Sequence, residues 1–274
     1  MLKKRLIFTL LYDRGQFMLS RNYRLQKVGD ISWLQKNYDF SKVSFSIDEL
    51  VVLDVTRGER DLNAFRDALR ALTEGCFVPI SAGGGVRSLE QARMLLRSGA
   101  DKVVVNTPLY DNMALVDELA GEFGQQCVVA SMDLKRSPDG SHQAWACNGS
   151  KAIGAPADEL IARVSSAQIG EIYLNSIDRD GTGQGYDLTM LDLLPACIRR
   201  PIILAGGAGY ASHLLTGLQD PRVDAVATAH LFNFIGDGLK QARGSLISNG
   251  VSLPVWDAEI HSAMRDWQLA PGSQ

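Results

Sequence analysis

Short runs of Val, Ile and Leu alternate with longer amphipathic stretches from end to end of the chain. Eight of the runs read as strands: Arg5–Leu11, Glu49–Asp54, Val78–Ala82, Lys102–Asn106, Cys127–Asp133, Glu171–Ser176, Ile202–Ala205 and Asp224–Thr228. Most are continuously apolar, as in parallel strands covered on both faces. Helical patterns lie between them. Asp61–Glu74 sets Leu62, Phe65, Leu69 and Leu72 along one stripe. Ser88–Ser98 opens with a capping box, Ser88 and Gln91, and stops at Gly99. Asp111–Phe123 stops at Gly124, and Pro156–Ser166 opens on a proline that suits a first helical turn. Asp187–Cys197, Tyr210–Leu218 and Leu231–Ile247 supply further helices, with a short pattern near Ile31–Tyr38. Strands and helices alternating in this number over residues 1–250 predict an α/β fold, a (β/α)8 TIM barrel. An open doubly wound sheet has the same periodicity and is the rival. Residues 251–274, with Trp256 and Trp267 in an acid/base mix, read as a C-terminal extension, helical and packed on or beside the barrel.

An internal repeat favours the barrel. The segment Ile47–Leu53 matches Ile169–Asn175, and at nearly the same offset Ala82-Gly83-Gly84 matches Ala205-Gly206-Gly207. Val103-Val104 lines up with Val226-Ala227 in the same frame. Two copies of a four-strand unit facing each other close a ring, whereas an open sheet has no such symmetry to satisfy.

Composition narrows the class. Hydrophobic residues make up 46% and charged residues 22% of the 274 residues, enough to bury a sizeable core. A net charge of −3 gives no basic sheath for nucleic acid and no membrane-surface patch. The apolar runs are too short to span a bilayer. Near the start, Tyr12, Asp13 and Arg14 cut short the apolar run that a signal peptide needs. Cys76, Cys127, Cys147 and Cys197 form no C-x-x-C pair and no metal-ligand spacing with histidine. A reduced, cytoplasmic chain without metal or cofactor is the expectation.

In a barrel, chemistry sits at strand C-termini and the loops after them. Gly83-Gly84-Gly85 follows the third predicted strand and Gly206-Gly207-Ala208-Gly209 the seventh. Lacking a Cβ, glycines let peptide N–H groups approach a phosphate closely. Asn106-Thr107 and Ala229-His230 follow the fourth and eighth strands, completing two opposed pairs that suit a substrate with a phosphate at each end. Asp180-Gly181-Thr182-Gly183 is a polar turn or a third set of phosphate-facing amides. His230 reads as a local hydrogen-bonder before it reads as a base. Asp133, closing an apolar strand, is the carboxylate placed to act as an acid or base, with a salt bridge to Lys135 or Arg136 as the alternative. Its counterpart by the repeat is Leu11, which titrates nothing; Asp13, two residues on, keeps the same strand parity and is a possible substitute.

Taken together, Asp48–Asp54, Gly83-Gly84-Gly85, Gly99–Val103, Ser176–Thr182 and Gly206–Gly209 resemble the HisF family, the cyclase subunit of imidazole glycerol phosphate synthase in histidine biosynthesis. The resemblance runs from Lys4 to about Phe234. It implies a barrel fed with ammonia by a HisH-like glutaminase subunit in a heterodimer. The ammonia reacts with a bis-phosphorylated ribulosyl imidazole carboxamide to give imidazole glycerol phosphate and an aminoimidazole carboxamide ribotide. It implies an ammonia gate at Arg5, Glu49, Lys102 and Glu171, with Asp101 at the glutaminase interface. It implies phosphate contacts at Gly85, Asn106 and Thr107 at one end, and at Asp180, Gly181, Gly207, Ala229 and His230 at the other. Asp133 matches the family's acid on the fifth strand. The family's first-strand aspartate falls on Leu11, its loop lysine on Leu19, the glycine after it on Ser20, and a usual serine on His230.

Three functions stay open on the sequence. The first is a working cyclase subunit, with Asp13 or a water serving for the absent acid. The second is a paralogue that channels ammonia to another step, such as amidination of a surface-polysaccharide sugar. The third is a sister-family isomerase, which needs no glutaminase. The charged gate speaks against the third. Leu11 with Leu19 speaks for the second over the first, while the family resemblance as a whole favours the first, so a cyclase-type subunit is the leading expectation.

Overall fold

The computed structural model describes residues 3–256. Strand β1 (Arg5–Asp13) turns into a hairpin, β2 (Gln16–Arg21) and β3 (Arg24–Gly29), before β4 (Glu49–Asp54). Strands β5 (Ile80–Gly83), β6 (Lys102–Val105) and β7 (Val128–Arg136) follow. A second hairpin, β8 (His142–Ala146) and β9 (Lys151–Pro156), folds back from β7 before β10 (Glu171–Ser176), β11 (Ile202–Ala205) and β12 (Ala225–Thr228). The parallel strands run β1-β4-β5-β6-β7-β10-β11-β12, and β12 pairs with β1 from Arg5↔Ala225 to Phe8↔Thr228. The sheet is therefore a closed (β/α)8 barrel, and the open-sheet rival is excluded.

The continuous apolar strands have their expected cause. Leu6, Phe8 and Leu10 face outward under the helices, while Ile7 points into the barrel with Val51, Val104, Val129 and Ile203. Both sets are buried, so neither face can be polar. The outer layer begins with α1 (Ile31–Asn37), α2 (Phe40–Val43) and α3 (Leu62–Thr73). The Asp61 side chain caps α3, whose Phe65, Leu69 and Leu72 are buried. In α4 (Leu89–Arg97) the Ser88 hydroxyl accepts from the Gln91 N–H, and Gln91 in turn accepts from the Arg87 N–H.

Several predicted helices are subdivided. Asn112 leaves the helical region and caps a new start, so the Asp111–Phe123 pattern becomes α5 (Pro108–Asp111) and α6 (Met113–Phe123). After α7 (Ala157–Ser166), the predicted Asp187–Cys197 helix is a 3-10 segment, Leu188–Leu193, ended before Pro195. Beyond α8 (Ala211–Gln219), the Leu231–Ile247 pattern breaks at Gly236, whose φ of +62° is not helical, leaving α9 (Gly238–Ser248). Residues 251–256 hold no helix. Residues 257–274, the larger part of the extension expected to be helical, lie outside the described residues. No helix among the described residues is long and apolar enough to cross a membrane.

At the N-terminal end of the barrel four charges form a closed ring. Arg5 bonds Glu49 at 3.0 Å and Glu171 at 2.7 Å, and Lys102 bonds the same two carboxylates at 2.9 and 2.8 Å. Each cation is shared by two anions, and Ser81 donates a further bond to Glu49 at 2.5 Å. Burial pushes the Glu171 carboxyl up, but its bonds to Arg5 and Lys102 outweigh that and hold it below the usual carboxylate range. Beside the ring, the Asp101 carboxylate accepts from the Ile80 N–H at 2.8 Å, while its residue stays exposed.

Glu171's share of stability is present at neutral pH and is lost as the pH falls through its lowered value. Lys102→Met leaves both glutamates dependent on Arg5. It is expected to cost about 2–4 kcal/mol in urea unfolding at pH 7, with the deficit shrinking at low pH as Glu171 takes up its proton.

Candidate functional site

The opposite end of the barrel holds a cavity of about 630 Å3, lined by the strand ends and the loops that follow them. Asp133 lies in it, on β7. Only 9% of the residue is exposed. Its Oδ2 accepts from Asn106 Nδ2 at 3.1 Å, and its Oδ1 accepts from Asn175 Nδ2 at 3.1 Å and from the hydroxyl of Tyr23. Burial pushes the Asp133 carboxyl up to about 6, with the bonds from Tyr23 and Asn175 opposing the rise and the charge of Asp180 adding to it. No salt bridge to Lys135 or Arg136 forms. Lys135 lies over the Trp145 ring, and Arg136 bonds Asp187 at 3.2 Å.

The two glycine turns stand across the ring from one another, after β5 and β11. Gly84, Gly85, Gly206 and Gly207 all have positive φ, at 109°, 70°, 88° and 104°. A Cβ on Gly84 would fall 2.1 Å from the Asp54 carbonyl oxygen, and one on Gly207 would fall 2.2 Å from that of Gly185. Both backbone shape and space thus demand glycine. Gly85, Asn106 and Thr107 line one side of the cavity, and Gly207, Ala229 and His230 the other, where Asp180 and Gly181 also reach it. His230 bonds locally, its Nδ1 accepting from the Asn233 N–H at 3.3 Å. Burial lowers its pKa, so the ring is neutral at pH 7 with its proton on Nε2.

Leu11 and Leu19 line the cavity as apolar wall. Asp13 does not reach it. β1 leaves the ring to pair with β2, and Asp13 sits opposite Gln16 at the hairpin's start, outside the cavity lining. Strand parity alone could not foresee this, because it assumes that the strand stays in the barrel.

Four residues that the sequence reading did not single out complete the site: Tyr23, Arg57, Arg60 and Asn175. Arg57 and Arg60 follow the C-terminus of β4, the loop position where function is expected in this fold, so they could have been found. Arg60 Nε is buried with no hydrogen-bond partner among the described residues, 3.5 Å from Asp54 Oδ2. A Cβ on Gly85 would lie 2.7 Å from its Nη1, so guanidinium and glycine turn share one corner. Arg21, Arg24 and Arg87 also line the cavity. The mouth therefore carries an excess of fixed positive charge over Asp54, Asp133 and Asp180, which suits a polyanionic ligand. Tyr23 gave no sequence signal, since a hairpin inserted after the first strand was not visible.

A family model described as "Histidine biosynthesis protein" matches residues 22–236. A protein of Parasynechococcus marenigrum (strain WH8102) named "Putative imidazole glycerol phosphate synthase subunit hisF2" is 47% identical over 257 residues, covering 93% of this chain and 95% of that protein.

Two outcomes follow from the site's charges. The fold binds the Asp133 proton more tightly than the unfolded chain does. That contribution is complete below about pH 4 and is lost as the pH rises through about 6. Asp133→Asn is expected to match the parent at pH 4 and to exceed it by about 1–3 kcal/mol at pH 8 in urea titrations. Arg60→Met is expected to weaken the binding of inorganic phosphate about tenfold, read by calorimetric titration.

Proposed function

Because the chain belongs to the HisF family of histidine biosynthesis proteins, we propose that it is a synthase subunit that uses ammonia on a bis-phosphorylated ribulosyl imidazole carboxamide. Its products are then imidazole glycerol phosphate and aminoimidazole carboxamide ribotide. The observation that carries this reading is a buried, hydrogen-bonded carboxyl standing between two opposed glycine turns, on the same barrel axis as the four-charge ring. With a pKa near 6, Asp133 is mostly a carboxylate at neutral pH and can take and return a proton without a large penalty. The turns at Gly85 and Gly207 hold one phosphate each through backbone N–H groups, with Arg60 and the neutral His230 beside them. Ammonia comes from a HisH-like glutaminase docked over the Asp101 face and passes the ring of Arg5, Glu49, Lys102 and Glu171. The interior between ring and cavity is lined by buried residues such as Ile7, Val51 and Val129, mainly apolar surroundings that favour neutral ammonia over its charged form.

One observation favours a second reading. Leu11 and Leu19 give the cavity apolar wall, and Asp13 lies outside its lining. A paralogue that delivers ammonia to a different acceptor, such as a sugar undergoing amidination, needs the ring and the phosphate turns but no first-strand acid. An isomerase that needs no glutaminase has no use for a four-charge ring.

A steady-state assay with an ammonium salt and the ribulosyl substrate separates the two. The synthase reading expects turnover that Asp133→Asn lowers by about 10²-fold or more and that Leu11→Asp raises. Absence of turnover in the parent, together with capture of a glutaminase in a pull-down, establishes the ammonia-delivering paralogue instead.

A further inference from the structure

The β2–β3 hairpin turns on Asn22 and Tyr23, both in the left-handed region with φ of 51° and 63°. Asparagine tolerates this conformation; a ring-bearing residue rarely adopts it and does so at a cost in energy. Three loops hold the turn there. From the loop after β10, the Asp180 carbonyl accepts from the Asn22 N–H at 2.9 Å. The Asp180 carboxylate accepts from the Tyr23 N–H at 3.0 Å and from Ser20 Oγ at 2.5 Å. Asn22 Nδ2 donates to the carbonyls of Ile177 and Asp178 at 3.2 and 2.8 Å. From the loop after β4, Arg57 donates to the Tyr23 carbonyl at 2.9 Å. From the β8–β9 hairpin, Gly149 makes room for the ring, since a Cβ there would lie 2.4 Å from Tyr23 Cδ2. Gly181 likewise admits the hairpin backbone, because a Cβ on it would fall 1.8 Å from the Ser20 carbonyl oxygen. So many restraints on one strained residue fix where its side chain ends, and it ends on Asp133.

We propose that Tyr23 is a positioning residue, the proton-bearing partner of Asp133, supplied by the β2–β3 hairpin from above the cavity where the first strand carries Leu11 and no acid. The phenol donates to Asp133 Oδ1, and Asn175 Nδ2 bonds both the phenol oxygen, at 2.6 Å, and that carboxylate oxygen. Burial, then the charge of Asp133, pushes the Tyr23 phenol well above its ordinary value, so it keeps its proton and remains a donor. The other titratable groups facing Asp133 are Asp180 on the loop after β10, Tyr173 on β10 and Tyr110 on α5. Asp180 repels the carboxylate, Tyr173 is bonded to Thr9, and the Tyr110 hydroxyl has no partner among the described residues. Tyr23 is thus the hydroxyl that reaches Asp133, and the carboxyl keeps this donor only while the hairpin is seated. The inference rests on Asp133 as the group that handles the proton in the proposed reaction.

The experiment reads Asp133 directly, without substrate, so its outcome does not depend on turnover. Carbon-13 NMR follows the Asp133 carboxyl, assigned by its absence in Asp133→Asn, through a pH titration. Tyr23→Phe keeps the ring over Gly149 and removes the donor, so the titration is expected to move up by about one to two pH units. Gly181→Ala unseats the hairpin and admits water, so the titration is expected to move down towards the ordinary carboxylate range. 3-Fluorotyrosine placed at position 23, a more acidic donor of nearly the same shape, is expected to lower the titration slightly and serves as the test should Tyr23→Phe fail to fold. An unchanged titration in Tyr23→Phe, or a fall like that of Gly181→Ala, overturns the proposal and leaves Tyr23 a mere plug. A rise in Tyr23→Phe in a protein without turnover supports the pairing while counting against the synthase reading.

Discussion

The pairing of β12 with β1 is the constraint from which both ends of this molecule follow. Once the eighth barrel strand meets the first, no edge remains and every parallel strand starts at one end and finishes at the other. Arg5, Glu49, Lys102 and Glu171 each begin a strand, so closure alone brings four residues far apart in sequence into one ring. The glycine turns after β5 and β11 and the carboxyl of Asp133 on β7 are gathered at the other end by the same geometry. An open sheet would have spread all of them along a line.

The two ends treat charge differently, and the difference is physical. At the start of the strands two cations and two anions satisfy one another, leaving no net field to attract a ligand. Such an arrangement resists burial costs only while complete, since any single loss strands a carboxylate or a cation. At the mouth the arginines outnumber the carboxylates, and Arg60 Nε, ion-paired with Asp54 at 3.5 Å, has no hydrogen-bond partner among the described residues. Unspent hydrogen-bonding capacity in a concave, positively charged site is what a phosphate ester can use. Asp133 belongs to the same economy. Its raised proton affinity costs stability above pH 6, a cost that a purely structural residue has no reason to bear.

The barrel was legible because its signals are redundant. Continuous apolar strands, capped amphipathic helices and a repeated half all say the same thing, and an error in one leaves the others standing. The glycine turns were legible because their positive φ values and crowding by neighbouring backbone admit no other residue. Asp133 could be found because it closes an apolar strand at the end of the barrel where chemistry is expected in this fold. The hairpins were not legible. β3 has no buried residue, with only a weak pattern in Arg24–Gly29, and its turn is Asn22-Tyr23 rather than a glycine-bearing pair. Losing the hairpin meant losing Tyr23 and misplacing Asp13, since both depend on where the chain goes after leaving the ring. The helix near Asp187 failed for a local reason: the 3-10 segment that replaced it is capped by Asp187 and ends just ahead of Pro195.

The seam between β12 and β1 is also tied by the segment that follows α9. The Lys4 N–H donates to the Ser252 carbonyl at 2.8 Å, and Lys4 Nζ reaches the carbonyl of Asp220 at 3.2 Å. Asp48, buried next to the charged ring, takes two bonds from Arg243 on α9, at 3.0 and 2.7 Å, and one from Trp256 at 3.2 Å. All these contacts join residues far apart in sequence, so their loop-closure entropy is among the largest the chain has to meet. During synthesis the first half-barrel is therefore complete as sequence long before its seam can be stitched. It waits on the ribosome with two raw strand edges exposed, which makes this interval, rather than the finished ring, the stage at which the protein most needs shelter from aggregation.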